Sequence, residues 1–291
     1  MFSIIIPLYN KELYIHYSIE SVLNQTYNEF ELIVVNDGST DNSLKIVQSI
    51  SDPRIIIINK LNGGESDARN TGIKVAKQKY ITLLDADDLW DATYLFKMKK
   101  LIEDYPDASF FGCQLSMMND NEIKIINQVH TKRGYIENYF KTQRIAPIVS
   151  SSSIVVRKEC FNSVGYFNTF LKRGADLEMW VRLAKRYKLA FEPAPLSYWR
   201  LDVQKSARNI IPPLKNFYLE FNLAAKTHHE RLYFLQLAEL VMTEILINKK
   251  YKYFFYLVVK YNIYVPIIFI KIIIKYILSV INKLGFKINK K

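Results

Sequence analysis

Cysteine is scarce. Cys113 and Cys160 are the two in 291 residues, which excludes a disulfide framework and any cysteine-based zinc module. Their rarity points to a reducing compartment. Histidine is as thin: His16, His130, His228 and His229 have no metal-ligand spacing apart from the adjacent pair, a poor chelate geometry. Nine glycines, nine prolines and 23% charged residues exclude collagen-like, low-complexity and disordered chains. No basic segment precedes the first apolar run, Phe2–Ile6, so no signal peptide is expected and the body is expected in the cytoplasm. Acidic residues are absent after Glu244.

That last absence decides how the charge is read. The formal net charge is +12, but residues 245–291 hold ten lysines and no acid, leaving +2 for the body. A near-neutral body with a basic, apolar tail suits an anionic membrane surface and disfavours a nucleic-acid partner.

The length and the 49% hydrophobic content suit one large domain with an appendage. The first hundred residues alternate strand and helix patterns. Strands are predicted at Phe2–Ile6, Phe30–Val35, Arg54–Ile58 and Tyr80–Leu84, with helices at Glu12–Asn24, Asp41–Ser51 and Asp67–Gln78. Continuous apolar strands separated by helices imply a parallel sheet covered on both faces. Right-handed crossovers bring the strand C-terminal ends to one edge, where open α/β sheets bind ligands. From Ser109 to Arg200 the pattern is mixed, with strands at Ser109–Leu115, Glu122–Gln128, Ser153–Val156 and Leu189–Pro193 and helices at Tyr135–Thr142, Lys158–Val164 and Leu177–Tyr187. Helix is predicted from Pro213 onward.

Four strand ends carry the polar clusters: Pro7-Leu8-Tyr9-Asn10, Asn36–Asp41, Asn62–Ser66 and Asp85–Asp88. Asp85 and Asp87, two residues apart, suit a hard divalent cation with phosphate oxygens in its open positions. The alternative is a turn into a helix capped by Asp88 or Asp91. Asp37 reads either as part of a turn with a helix cap or as a carboxylate facing a nucleobase or ribose. Arg69 reads on its own as a partner of Glu65 or Asp67.

The run SIIIPLYNKELYIHYSIESVLNQTYNEFELIVVNDGSTDNSLKIV, continued by GGESDARNTGIKVAKQKYITLLDADD, resembles the opening of glycosyltransferase family 2 across about residues 2–90. The likeness persists more weakly to about Ser206 and fails in the helical tail. It implies a GT-A fold, a Rossmann-like, mostly parallel α/β sheet with helices on both faces. Residues 1–206 would form this domain, with a nucleotide-binding half (1–110) and an acceptor half (111–206); residues 207–291 would form a helical C-terminal region.

The resemblance also implies roles. Pro7, Tyr9 and Glu12 would line the nucleotide pocket, Asp37 would contact the base, most often uracil, and Arg69 would approach the base or diphosphate. Gly63 and Gly64 would let the backbone pass close to the ligand. Asp85-Ala86-Asp87 matches the D-x-D motif, with Asp87 the direct ligand of manganese or magnesium. In Gly174–Trp180, Asp176, Glu178 and Trp180 match an E-D-x-[DE]-x-W run whose Asp is the general base, while Ala175 replaces its first acid. Asp176 is assigned the base and Glu178 is the alternative; a helix cap also explains Asp176. In Tyr198–Ser206, Arg200 and Ser206 match, and Asp202 stands where histidine is usual, either as an oxygen ligand or paired with Arg200 or Lys205. Trp180 and Arg200 fall on the acceptor side.

Tyr251–Leu284 is dense in Ile, Phe, Tyr and Val, but Lys260, Lys271, Lys275 and Lys283 interrupt every window long enough to span a bilayer. Lys271, Lys275, Ser279 and Asn282 form one polar stripe, which suits helices over 251–285 lying in the membrane interface. A lid packed on the body, with outward lysines, is the alternative. The expected activity is inverting transfer of a sugar, from a nucleotide-sugar of UDP type, to a saccharide or lipid-linked hydroxyl in bacterial surface polysaccharide synthesis. The expected location is the inner face of the cell membrane. A nucleotidyltransferase lacks support, because no Gly-rich basic phosphate loop follows strand one. A degenerate, membrane-bound binding protein rests on Ala175 and Asp202 alone.

Overall fold

A computed structural model describes residues 1–119, 122–125, 132–171, 173–200, 227–247, 251, 252 and 254. The opening half alternates as its apolar runs predict: β1 (Phe2–Leu8), α1 (Ile15–Leu23), β2 (Phe30–Asp37), α2 (Ser43–Gln48), β3 (Ile55–Lys60), α3 (Glu65–Val75) and β4 (Tyr80–Leu83). A short β5 (Leu89–Trp90) and α4 (Tyr94–Asp104) follow. Beyond lie β6 (Ala108–Asn119), β7 (Glu122–Ile125), β8 (Gly134–Ile136), α5 (Tyr139–Ile145), a 3-10 turn (Ser151–Ser153), β9 (Ile154–Arg157), α6 (Cys160–Val164), α7 (Ala175–Ala184) and β10 (Lys188–Arg200).

All ten strands join one sheet, with the main path β3-β2-β1-β4-β9-β6-β10-β5, while β7 pairs with β6 and β8 with β10. The four strands β3-β2-β1-β4 are parallel, as expected. The expectation of a mostly parallel sheet fails beyond them. Strand β9 runs antiparallel to both β4 and β6, and β5, β7 and β8 are antiparallel to their partners. The sheet is mixed: β10 runs parallel to β6 after a crossover, while the inserted β9 reverses direction between β4 and β6.

Both faces are covered, and alternation along β1 explains how. Phe2, Ile4, Ile6 and Leu8 share a core with Ile15, Ile19 and Val22 of α1 and Leu95, Met98 and Leu101 of α4. Ile5 faces the other way, onto α3, where a Cβ on Gly72 would lie 2.4 Å from its Cγ2. Pro7 sits in this central strand without harm. Ile5 C=O points toward β4 and accepts Leu84 N–H at 3.0 Å; Pro7, two residues on, faces the same side past the end of that ladder.

The predicted helix at 135–142 is instead strand β8 followed by α5. Tyr135 packs edge-on against Tyr105 (5.0 Å, 85–90° being the ideal edge geometry and 83° the observed angle), and Asn138 then starts the helix by accepting Lys141 N–H at 2.9 Å. Strand β10 extends well past the predicted Pro193.

The chain divides into two compact units, Met1–Phe170 with Ala175–Gln204, and Leu171–Gly174 with Lys205–Lys291. The second unit contains α8 (His228–Ile247), and within it Arg173 pairs with Glu244 at 3.0 Å. The expected interfacial helices over 251–285 lie outside the described residues, apart from Tyr251, Lys252 and Phe254. No described helix is long and apolar enough to cross a membrane.

Candidate active site

The C-terminal ends of β1 and β2 are tied together by polar loops. Asn10, at φ 51°, accepts Thr40 N–H on Oδ1 at 2.8 Å. Lys11 N–H donates to Ser43 Oγ at 2.8 Å. Glu12 Oε2 accepts Asn42 N–H at 2.9 Å, and Glu12 N–H donates to Asp41 Oδ2 at 3.1 Å. Glu12 is thus a brace between the loops, while the Tyr9 ring beside it stands half exposed. Pro7 is buried in β1.

Asp37, 2% exposed at the end of β2, organises the β3–α3 loop. Its Oδ1 accepts Lys60 Nζ at 2.6 Å and Gly63 N–H at 2.9 Å, and its Oδ2 accepts Gly64 N–H at 2.8 Å. A carboxylate offers about four acceptor positions, so one remains for a ligand N–H. Lys60 also reaches Asp67 at 2.7 Å. Burial lowers the affinity of this ammonium for its proton, but Asp37 and Asp67 outweigh it, and the pKa is raised. A side chain at Gly63 would collide with that ion pair, 2.4 Å from Asp67 Oδ2. Gly64 has φ +89°, and a Cβ there would meet open space. The two glycines therefore do different things: one makes room for the brace, the other exposes backbone.

Arg69, buried on α3, reaches over to the end of β4. It donates to Asp85 Oδ1 at 2.8 Å and to Glu65, and its guanidinium lies over the Phe167 ring at 5.5 Å. The pairing with Glu65 is the helix-surface partner that the sequence offered, and the same guanidinium also binds the first carboxylate of the D-x-D run. Arg69 pulls the Glu65 pKa down, while the carboxylates of Asp85, Asp176 and Asp87 push it up, and the net direction is up although the side chain is 60% exposed. Asp87 pairs with Lys11. Ala86 between them turns its methyl into the core, so only its backbone faces the site. Asp88, 3% exposed, is pushed well above the ordinary carboxylate range by burial and by Asp85 and Asp87.

Ser152 pins this turn. Its Oγ accepts Asp85 N–H at 3.1 Å and donates to Asp88 Oδ2 at 2.6 Å, while its carbonyl accepts Trp90 Nε1–H at 2.6 Å and Ser197 Oγ–H at 2.8 Å.

Asp176 lies in the first turn of α7, one residue inside the helix, so it is not the cap. Burial raises its pKa; Arg69 and the Leu177 N–H pull it back, Asp85 pushes it up again, and the net direction is up. The interaction with Arg69 and Asp85 draws Asp176 into the same charged cluster from the far end of the sequence. Glu178 is committed elsewhere: its two oxygens accept Arg182 Nε and Nη2 at 2.7 and 2.8 Å. Trp180 is fully buried and edge-on to Phe167, so it packs in the core beneath α7 and offers no surface to a ligand. Arg200 ends β10; its N–H faces Asp88 Oδ1 at 3.4 Å and its guanidinium lies over Tyr14 and Tyr17. Asp202 and Ser206 lie outside the described residues.

Among the described residues, no group of three His, Cys, Asp or Glu side chains converges to hold a metal ion. Asp85 and Asp87 nevertheless suit a hard divalent cation: both are partly exposed carboxylates (30% and 20%) at a strand end. A cation there would compete with Lys11 for Asp87. Lys11 and Ser152 are the residues of this cluster that sequence reading missed, and Glu65 was read only as a partner of Arg69. Lys11 sits one residue from Glu12, but nothing local links it to Asp87, 76 positions on.

The sequence model of glycosyl transferase family 2 matches residues 3–165. An uncharacterized glycosyltransferase of Rickettsia bellii is 33% identical over 202 residues, covering 68% of this chain and 28% of its own. Glycosyltransferase GlyA of Streptococcus pneumoniae is 34% identical over 154 residues, 49% of this chain and 22% of its own. The chain thus spans only about a quarter of the length of these two relatives. The crystal structure of S. aureus TarS 1–349 in complex with UDP-GlcNAc aligns with a TM-score of 0.66 at 20% identity, over 84% of this chain and 72% of that one. That likeness speaks for the GT-A-type fold. The family match extends over more than half of the sequence and takes in the ends of β1 to β4, and the chain belongs to glycosyl transferase family 2.

Proposed function

We propose that this glycosyltransferase moves a sugar from a nucleoside-diphosphate donor, of uridine type, to a hydroxyl of a saccharide or lipid-linked acceptor, with inversion at the anomeric carbon. The observation that carries the reading is the Arg69–Asp85 pair, 2.8 Å apart at the end of β4, with the Asp176 carboxylate of α7 within its electrostatic reach. A proton acceptor and a cation–carboxylate pair at a nucleotide-type strand edge are what one direct displacement needs.

The acceptor oxygen attacks the anomeric carbon, the bond from that carbon to the diphosphate breaks, and Asp176 takes the hydroxyl proton. A single displacement needs one base and no carboxylate nucleophile. Arg69 and Lys11 offset charge near the departing diphosphate. Asp37, with its remaining acceptor position, reads the base, and Tyr9, Pro7 and the Gly63–Gly64 backbone wall the pocket. Asp85 and Asp87 would hold manganese or magnesium, which when bound supplies Lewis-acid neutralisation of diphosphate charge. The TarS complex with UDP-GlcNAc supports a uridine nucleotide-sugar as donor. The lysine-striped apolar tail supports a peripheral place on the inner face of the cell membrane, next to a lipid-linked acceptor in surface polysaccharide assembly.

Thermal-shift binding of UDP, GDP, dTDP and CDP, with and without manganese, tests the reading. A metal-dependent rise in melting temperature with UDP is expected, because a ligand of the native state alone raises apparent stability. No rise with any nucleotide would overturn it.

A further inference from the structure

Residues 165–170 run between α6 and α7 on the surface, yet Phe167 in their midst is 3% exposed. A buried loop residue must find partners for its own N–H and C=O, and no strand or helix supplies them here. Asn70 of α3 supplies both. Its Nδ2 donates to Phe167 C=O at 2.8 Å, and its Oδ1 accepts Phe167 N–H at 2.8 Å. The side-chain amide thus stands in for the edge of a strand.

What it fixes lies on both sides of the site. The Phe167 ring carries the Arg69 guanidinium on one side and meets Trp180 of α7 edge-on at 5.7 Å on the other. The same stretch is tied to α7 by Arg182, which donates to Val164 C=O and, at 2.8 Å, to Tyr166 C=O. Helix α3 is itself seated hard on β1 through Gly72. The path from the sheet to Asp176 therefore runs through α3, Asn70, Phe167 and α7.

We propose that Asn70 is a positioning residue that sets the separation between Arg69 on the donor side and Asp176 on the acceptor side. The catalytic part of this inference rests on the reading of Asp176 as the base. Asn70 touches neither substrate. It acts by holding Phe167, whose ring packs against both Arg69 and Trp180.

The test has a geometric and a kinetic arm. Spin labels at Val75→Cys on α3 and Lys185→Cys just past α7 report the distance between the helices. The native Cys113 and Cys160 are buried with their thiols pushed up, which keeps them from the label. A narrow distance distribution is expected for the parent. It should broaden or shift in Asn70→Ala, and less so in Asn70→Asp, which still accepts Phe167 N–H but cannot donate to its carbonyl when ionised. An unchanged distribution in folded Asn70→Ala overturns the inference.

In the kinetic arm, UDP release from UDP-GlcNAc is measured with water as acceptor. Asn70→Ala should lower kcat roughly 10- to 100-fold, as small misplacements of reacting groups do, with UDP affinity unchanged. In an Asp176→Ala background the same substitution should cost nothing further, since two changes acting through one group do not add. An equal loss in that background, or a parallel loss of UDP affinity, overturns the inference. A parent protein that neither binds UDP nor releases it overturns the proposed function instead, and the distance arm still decides whether Asn70 holds α7.

Discussion

Two carboxylates of α7 compete for the role of base, and their partners separate them. Glu178 is held bidentate by Arg182, whereas Asp176 faces Arg69 and Asp85. Asp176→Ala should cut turnover roughly 100- to 10,000-fold, the span of general-base contributions, and leave UDP affinity unchanged by calorimetry. Glu178→Gln should lower the melting temperature more than the rate. Because burial first of all raises the Asp176 pKa, the acid limb of the kcat/KM profile should lie above the ordinary carboxylate value of about 3.9. Asp88 makes a stability prediction. Its folded pKa is raised, so its contribution is full at low pH and is lost as pH rises through that value. The urea midpoint of Asp88→Asn should therefore gain on that of the parent as pH climbs from about 4. At this scale, Asp37, Arg69, Asp85, Asp87 and Asp176 were legible because each stands in a motif of fixed spacing. Lys11, Ser152 and Asn70 were not, since their partners lie 76, 64 and 97 positions away and no local pattern marks such pairs.

Elements were legible where burial is uniform. Continuous Ile, Val and Leu runs mark β1, β2 and β4 because these strands are covered on both faces, while β3, at the sheet edge, is half-buried yet carries the same run of isoleucines. The run at 135–142 carries apolar spacing that fits either period, and Tyr105 decided for a strand by offering Tyr135 an edge-on partner. The seat of α3 on β1 gives the sharpest test of an element contact. Gly72→Ala puts a methyl 2.4 Å from Ile5 Cγ2, so it should destabilise by about 1–3 kcal/mol in urea unfolding, the range for overpacked cores. Adding Ile5→Val, which trims the side chain that is struck, should recover part of that loss. Since Arg69 and Asn70 ride on the same helix, Gly72→Ala should also weaken UDP binding.

For the whole molecule, charge asymmetry was plain in the sequence, while the mixed sheet was not, because strand direction is set by partners and not by composition. The tail yields the prediction at this scale. Truncation after Asn248 removes every residue of the lysine-striped region and should release the protein from anionic liposomes in a pelleting assay; unchanged pelleting would remove the interfacial-helix reading. Strand β9 carries a different consequence. It is hydrogen-bonded to β4 on one side and β6 on the other, and β5 joins β10 farther along the same sheet, so residues 1–110 and 111–200 are woven together at two places. Halves exchanged between relatives at residue 110 would each arrive with a foreign edge to match. Changes confined to the loops that leave the sheet keep both joins intact, so loop grafting disturbs this framework less than an exchange of halves.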